Sequence, residues 1–379
     1  MKKNLSFLMG LVLILSMVMA SCAPVATPTA APVAPTAAPV EPTMAPAEPT
    51  MAPAEPTMAP APKLKACQVT DTGGIDDKSF NATAWKGVED AVAKLGVEGK
   101  YLESKEVADF EKNLNAFVEE KCDVIISVGF LLGDATKAAA ENNPDMKFSI
   151  VDYGYDPIIP NVVGQVFNTD EAAFLAGYLA AGMTKTGKVG TFGGLPIPTV
   201  TIFMEGFAKG VSYYNTAKSA KVVVLGWDLA NPDKGLFTNS FDDQNMGKEF
   251  GNSLMDEGAD IIMPVAGPVG LGTAAAIKER GNGMLIGVDS DWFLTAPTYA
   301  DITLTSVLKK MDVTSFDVIK SVQDGKFAGG FVTGDLKNTG VDLAPFHDMD
   351  SKVSAELKAE LDKVRAGLLD GTIKLADIK

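Results

Sequence analysis

The sequence is poor in the residues on which most enzyme centres depend. Its 379 residues include one histidine, His347, and three cysteines. No Cys/His cluster is therefore available for zinc, and a Ser-His-Asp triad would have to use that histidine without a nucleophile-elbow motif to serve it. The phosphate-binding G-x-x-x-x-G-K-[ST] loop is absent, and the di-glycine turns lack the spacing of a dinucleotide site. Nothing in the sequence requires an enzyme, a metal or a cofactor.

Positive charge is also scarce. The chain has 33 basic and 48 acidic residues, and its formal net charge is −15. This balance argues against nucleic acid or anionic lipid headgroups as partners. The acidic clusters at Asp242 and Asp289 lack the ligand spacing and the glycine of a calcium loop. The pair Asp76-Asp77 is typical of a solvated turn.

A long apolar run, residues 5–19, is shorter than the roughly 20 residues that a membrane-spanning helix needs. Two lysines precede it, so residues 1–21 are predicted to be a secretory signal peptide. The run ends in Met-Ala-Ser-Cys, which resembles a lipobox, where small residues precede a cysteine that is diacylated and becomes the mature N-terminus. We predict lipidation of Cys22. The alternative is ordinary cleavage near Ala20, with Cys22 incidental.

Residues 23–62 contain no aromatic residue but hold 12 of the 22 prolines, and the heptapeptide EPTMAPA occurs there three times. A period of seven suggests a coiled coil, but two prolines in each repeat exclude a continuous helix. We therefore expect residues 22–62 to be the lipidated cysteine followed by an extended proline-rich linker. Residues 63–379 are then the folded part, which is long enough for two domains.

If Cys22 carries lipid, Cys67 and Cys122 remain as an even pair in an oxidising compartment. The first lies early in the strand-like segment KACQVTD, and the second directly precedes DVIISVG. These strands are neighbours in a doubly wound sheet. A disulfide and two buried thiols both fit this pattern.

Short apolar segments alternate with amphipathic helical segments throughout the folded part. This alternation predicts an α/β fold with two consecutive doubly wound parallel-sheet units of comparable size. In such sheets, ligands bind beyond the carboxyl ends of the strands. The strand-to-helix junctions TDTGGI, SVGF, TFGGLP, PVAGPVG and GVDSD are therefore the expected place for a site.

Each unit has a di-glycine turn followed by an aromatic residue near the start of a helix. Phe80 follows Gly73-Gly74, and Phe203 follows Gly193-Gly194. If the two units face each other, the rings can close on a flat ligand. The alternative is that both rings are core residues beneath their helices.

The folded part resembles the basic membrane protein family of bacterial lipoproteins, whose best-understood members are purine nucleoside receptors. TDTGGIDDKSFNATAWKG is the most specific segment. VFNTDEAAFLAGYLAA, KVGTFGG, FMEGFAKGV, GADIIMPVAG, IGVDSD and LTSVLKK follow in the family's order. The resemblance implies a type I periplasmic-binding-protein fold that delivers its ligand to an ABC permease. It also implies that the protein is not an enzyme and needs no cofactor. We further expect a monomer that contacts the membrane through its lipid anchor only and does not bind nucleic acid.

In that fold, two lobes are joined by a three-crossing hinge. The resemblance implies crossings near Asn168, Ser306 and Gly330. The predicted N-terminal lobe is residues 63–167 plus 307–330, and the predicted C-terminal lobe is residues 168–306 plus 331–379.

The resemblance also implies a set of ligand-binding residues. Phe80 and Phe203 would stack on the two faces of a purine. Asp71 would accept from a ring N–H, and Asn81 would both donate and accept on the base edge. The alternative for Asp71 is a helix cap.

The ribose would be held by Asp289, which can accept from vicinal hydroxyls, and by Lys309, which would donate to the sugar and pair with a carboxylate. Gly267 would let the backbone approach the sugar closely. The alternatives are a helix cap for Asp289, a surface position for Lys309 and a simple turn for Gly267. Phe130 and Asp152, at other strand ends, are expected at the rim of the pocket.

Two other functions fit the same fold. One is a lobe-closing sensor or a surface adhesin without transport. The other is a binder of a different small ligand, such as a sugar.

The predicted anchor leads to a direct test. Cys22→Ala should release the protein from the membrane fraction, because the acylated side chain is lost. Ser21→Ala, which keeps a small residue before the cysteine, should remain bound. Fractionation and immunoblotting measure both. A Cys22→Ala variant that stays in the membrane fraction would contradict the assignment.

Overall fold

Strands and helices alternate along residues 63–379, which are the residues that the computed structural model describes. The predicted signal peptide, Cys22 and the proline-rich linker lie outside the described residues. The strands are β1 Lys65–Val69, β2 Glu98–Leu102, β3 Val124–Val128, β4 Lys147–Val151, β5 Val162–Phe167, β6 Lys188–Gly193, β7 Val223–Leu225, β8 Ile261–Val265, β9 Met284–Asp289, β10 Thr303–Lys309, β11 Gly330–Gly334 and β12 Val341–Leu343.

Helices follow most of these strands, as their amphipathic patterns predict. The helices are α1 Phe80–Leu95, α2 Ala108–Glu119, α3 Gly133–Asn142, α4 Thr169–Met183, α5 Pro198–Lys218, α6 Gln244–Asp256, α7 Val269–Arg280, α8 Trp292–Thr295, α9 Met311–Gln323 and α10 Ala355–Asp370. None of the helices between residues 63 and 379 combines the length and the apolar character needed to cross a bilayer.

The strands form two six-stranded sheets with the same arrangement. The first has the order β11-β5-β4-β3-β1-β2, and the second has the order β12-β10-β9-β8-β6-β7. All neighbours are parallel except β12, which is antiparallel to β10. The central strands, such as β3 and β8, are buried along their whole length because helices cover both faces. The predicted fold of two doubly wound parallel sheets is confirmed.

The chain passes between the sheets three times, and these crossings are hydrogen-bonded to one another. The Asn168 amide donates to the Gly334 carbonyl at 2.8 Å, and the Lys310 amide donates to the Gly340 carbonyl at 2.9 Å. The first lobe is therefore residues 63–167 and 311–334, and the second lobe is residues 169–309 and 341–379. The three crossings lie side by side as one hinge.

Helix α9 returns to the first lobe and packs closely on α1. A side chain at Gly87 of α1 would lie only 2.4 Å from the Asp312 carbonyl oxygen, so glycine is required at this contact. The first lobe is therefore completed by a segment that follows the second lobe's central strands in the sequence.

The lobe boundaries predicted after Ser306 and Gly330 lie within two strands. They fall inside β10 and β11, where strand pairing continues to Leu308 and Gly334. The second and third crossings follow those strands. Composition does not mark these strand ends, because backbone pairing and not side-chain polarity sets them.

Cys67 and Cys122 are joined by a disulfide, with Cα atoms 6.1 Å apart and a sequence separation of 55 residues. Cys67 lies within β1, and Cys122 directly precedes the neighbouring β3. Both are buried beside Phe110 and Phe117 of α2. The bridge therefore connects β1 with the start of β3 and encloses the intervening helices and strand of the first lobe.

The disulfide can be tested by thiol labelling under denaturing, non-reducing conditions, followed by peptide mapping. We expect no label on Cys67 or Cys122 unless reductant is added first. The double variant Cys67→Ala/Cys122→Ala should lose roughly 2–5 kcal/mol of unfolding free energy, because a long loop is no longer closed in the unfolded chain. Label on both thiols without reductant would contradict the bridge.

Candidate functional site

A cavity lies between the two lobes, beyond the carboxyl ends of the strands. All seven predicted ligand-binding residues line this one cavity, although they come from segments far apart in the sequence. Both predicted rim residues line it as well. These nine residues are Asp71, Phe80, Asn81, Phe130, Asp152, Phe203, Gly267, Asp289 and Lys309.

One end of the cavity is built by the loop between β1 and α1. The Asp71 carboxylate accepts from the Gly73 amide at 2.9 Å and from the Asn81 side-chain amide at 2.7 Å, both through Oδ1. Its Oδ2 accepts no hydrogen bond from the described part of the chain. The loop therefore holds this carboxylate in place with one oxygen free on the cavity side.

Asp77 stabilises the same loop through hydrogen bonds to its backbone. Its side chain accepts from the backbone amides of Ser79, Asn81 and Ala82 at 2.7–3.0 Å, so it caps the start of α1. It is only 2% exposed, so the expected solvated turn is wrong at this position. Two adjacent acidic residues in a sequence give no indication that one of them is buried and caps a helix.

The side chain of Asn81 forms hydrogen bonds within the protein. Its side-chain nitrogen donates to Asp71 at 2.7 Å and to Asp77 at 3.1 Å, which uses both of its N–H groups. Its oxygen accepts from the Asp71 backbone amide at 3.2 Å. In this arrangement the Asn81 N–H groups are used within the protein, and its contact with a ligand stays a prediction. Asn81 orients Asp71.

The other end of the cavity is built around the Lys309 ammonium. Its Nζ is 2.5 Å from Asp152 Oδ2 and 3.8 Å from Asp289 Oδ1. Asp152 belongs to the first lobe, and the other two residues belong to the second. The predicted carboxylate partner of this lysine is thus supplied mainly from across the cleft.

Asp152 and Asp289 occupy matching positions in the two sheets. They follow or end β4 and β9, the third strand of each sheet order, and both have left-handed backbone conformations, with φ of 67° and 69°. This conformation is uncommon for a residue other than glycine. It turns the chain sharply at the strand end, where both carboxylates line the cavity.

Burial makes the cavity's carboxylates hard to ionise. It raises the pKa of Asp289 to about 6, although Lys309 opposes the shift. It also raises the pKa of Asp77 to about 7, of Asp71 and of Asp152. The Lys309 ammonium interacts with three of these acidic groups, Asp71, Asp152 and Asp289, so the site disfavours an additional negative charge.

The aromatic rings lie around the same ammonium. Lys309 Nζ is 4.7 Å from the centre of the Phe80 ring and 5.7 Å from that of Phe203. The first ring comes from the first lobe and the second from the second lobe. Both rings therefore border one space in the cleft, although Phe203 also packs in the hydrophobic core, as its alternative predicted.

Reciprocal hydrogen bonds join the lobes beside the cavity. Ser79 Oγ lies 2.9 Å from the Val288 carbonyl oxygen and 3.2 Å from Asp289 Oδ2. In the opposite direction, Ser290 Oγ donates to the Lys78 carbonyl at 2.8 Å. The sequence did not predict a role for either serine. A serine near a glycine-rich turn can contact its own loop or the opposite lobe, and the sequence does not distinguish the two.

Gly267 lies at the β8–α7 junction with a φ of +54°, a conformation that favours glycine. An added side chain there would meet no described protein atom closer than 4.0 Å. Its backbone conformation therefore requires glycine, and the neighbouring space remains open.

The cavity is suited to binding. Carboxylates, one ammonium, aromatic rings and backbone groups line it, and the lining drawn from residues 63–379 includes no histidine or cysteine. His347 instead pairs with Asp291 and stacks on Phe293.

Comparison with known proteins gives a consistent result. The family model described as "ABC transporter substrate-binding protein PnrA-like" matches residues 64–378. The "ABC transporter nucleoside-binding protein BmpA" of Lactococcus lactis is 34% identical, over 82% of this chain and 88% of its own length. "Basic membrane protein A" of Borreliella burgdorferi is 32% identical, over 79% of this chain and 84% of its own length.

A solved structure of an ABC transporter solute-binding protein from Aeropyrum pernix has the same fold. It has a TM-score of 0.74 and 26% identity, and the match covers 82% of this chain and 92% of that one. The predicted resemblance is confirmed. The chain belongs to the PnrA-like family of ABC transporter substrate-binding proteins, which bind a ligand for a transporter and are not enzymes.

Proposed function

We propose that this protein captures a purine nucleoside between its lobes and delivers it to an ABC permease from a lipid-anchored, extracytoplasmic position. The observation that carries the proposal is the cavity, with an aromatic ring from each lobe, an acidic end and a single ammonium. The name of the Lactococcus lactis relative, a nucleoside-binding protein, supports the same ligand class.

The base fits between Phe80 and Phe203. Both rings border the space around Lys309 Nζ, at 4.7 and 5.7 Å from it. A flat aromatic ligand gains roughly 1–3 kcal/mol per base from stacking. A sugar alone gains less from two facing rings, which favours a base-containing ligand.

The base edge fits against Asp71. Its Oδ1 is occupied by Gly73 and Asn81, and its Oδ2 remains to accept a ring N–H. Asn81 acts through Asp71, and one lone pair on its own oxygen remains for a ligand donor. A purine N–H can therefore be paired inside the closed site, where an unsatisfied group costs roughly 1–3 kcal/mol.

The ribose fits against Asp289 and Lys309. A carboxylate can accept from two vicinal hydroxyls, and the ammonium can donate a third N–H beyond its contacts with Asp152 and Asp289. The surplus of acidic groups disfavours a phosphate. The expected ligand is therefore a neutral nucleoside and not a nucleotide.

The anchor and the transporter complete the proposal. The Met-Ala-Ser-Cys sequence at Cys22 supports a lipid anchor, and an uncharacterized lipoprotein of Pyrococcus abyssi is 32% identical over 83% of this chain. The family supports a permease as partner.

Stacking is tested by Phe80→Ala. We expect purine nucleoside binding to weaken by about 1–3 kcal/mol, because one face of the base loses its aromatic partner. Tyr101→Ala, on the exposed edge strand β2, should leave affinity unchanged. Calorimetry on the full chain in detergent with adenosine, guanosine, inosine and simple sugars measures the effect. Tight sugar binding without nucleoside heat, or equal affinity in Phe80→Ala, would refute the proposed ligand.

The sugar end is tested by Asp289→Ala. Removing the carboxylate should weaken nucleoside binding by roughly 1.5–3 kcal/mol, the range for a hydrogen bond to a charged group. Binding of the free base should change far less, because it has no ribose. Asp145→Ala, an exposed acidic position, is the matched control. Equal losses for nucleoside and free base would show that Asp289 does not hold the sugar.

A further inference from the structure

A second chamber adjoins the cleft beside Lys309. Asp152, Thr199 and Lys309 line both the main cavity and this chamber. The chamber is therefore contiguous with the ligand cavity at the ammonium end. The residues that line only the chamber are Val166, Phe167, Thr169, Pro198 and Ile202.

Most of this lining is apolar, and one of the lining residues carries an unsatisfied hydroxyl. Thr169 is 1% exposed, and its Oγ1 has no hydrogen-bond partner in the described part of the chain. A buried hydroxyl without a partner is costly, so native proteins usually satisfy it with a protein group, a water or a ligand. The Thr169 hydroxyl is buried and is not open to the chamber. The chamber is thus bordered by Asp152, Thr199 and Lys309 on the side shared with the cavity and by mainly apolar side chains elsewhere.

The charges around the chamber favour a neutral occupant. The Lys309 ammonium is already paired with Asp152 at 2.5 Å. Helix α4 begins at Thr169, and its first turn carries Asp170 and Glu171, which offset the attraction of the helix N-terminus for anions. A phosphate or carboxylate would therefore meet more negative than positive charge.

The position of the chamber indicates which part of the proposed ligand can enter it. In the proposed nucleoside complex, the vicinal hydroxyls of the ribose face Asp289, and the sugar lies beside Lys309. The arm at C5′ is the remaining exocyclic substituent of the ribose, and it is the group that can extend past the ammonium. We propose that the second chamber accepts a neutral, largely apolar 5′-substituent on a purine nucleoside. This inference rests on the proposed function.

A 5′-alkylthio group has the required chemistry. Its carbon and sulfur atoms can pack against Ile202 and Phe167, which line the chamber. Binding should then improve with apolar area removed from water, as it does in other apolar pockets.

The test is calorimetry on the full chain in detergent with four ligands: adenosine, 5′-deoxyadenosine, 5′-methylthioadenosine and adenosine 5′-monophosphate. We expect 5′-methylthioadenosine to bind about threefold to tenfold more tightly than 5′-deoxyadenosine, from burial of the added group. The monophosphate should bind at least about a hundredfold more weakly than adenosine, because its charge is desolvated beside acidic groups.

A variant that fills the chamber separates it from the main cavity. Ile202→Trp should leave adenosine affinity within about threefold and weaken 5′-methylthioadenosine at least about thirtyfold. Ile202→Phe is the smaller replacement if the tryptophan variant does not fold. Val223→Trp, at the exposed edge strand β7, is the matched control and should alter neither ligand.

The outcomes distinguish this inference from the function on which it rests. If adenosine binds but 5′-methylthioadenosine does not, the chamber is not a substituent site and the nucleoside function stands. If the Ile202 variants weaken both ligands equally, the chamber is part of the main site and the inference is overturned. If no nucleoside binds, both the proposed function and this inference are refuted.

Discussion

The structure depends on one buried ion pair that spans the two lobes. Lys309 ends a strand of the second lobe, is 2% exposed, and meets Asp152 of the first lobe at 2.5 Å. Removing both charges from water is costly, and the cost is offset only when the pair and its hydrogen bonds are complete. The ion pair is therefore complete only while the two lobes meet across the cleft. A ligand that supplies further partners to Lys309, Asp152 and Asp289 favours the closed state through its differential affinity.

A second network, of hydrogen bonds, connects a loop of the first lobe with the second lobe across the cleft. Asp77 caps α1 and holds Asn81, which orients Asp71 at one end of the cavity. The same loop contains Ser79, whose hydroxyl reaches Val288 and Asp289 in the second lobe. The groups proposed for the base and for the sugar are thus linked through one short loop. Hydrogen bonds within this loop therefore connect the Asp77 cap with groups at both ends of the site.

Much of this arrangement was predictable from local patterns. Short apolar segments alternating with amphipathic ones predicted the two parallel sheets, and the carboxyl ends of parallel strands were the expected place for a site. Other features depended on how each side chain turns and pairs once the chain is folded. Both amide N–H groups of Asn81 are used within the protein, and Asp77 turns inward as a cap. The crossings follow Lys309 and Gly334 because strand pairing, and not composition, decides where those strands end.

The sequence by itself determined the class of fold, the order of the elements and the residue types available at the strand ends, because side-chain periodicity and turn chemistry act over a few residues. Its motifs also determined the family. Only the tertiary structure decided which carboxylate pairs with Lys309, which oxygen of Asp71 stays free, and that a second chamber adjoins the ammonium. The free oxygen of Asp71 depends on how its own loop folds onto Gly73 and Asn81. The ion pair and the chamber depend on distances between groups more than a hundred residues apart, such as Asp152 and Lys309. Closure of two lobes sets those distances, and no local pattern encodes them.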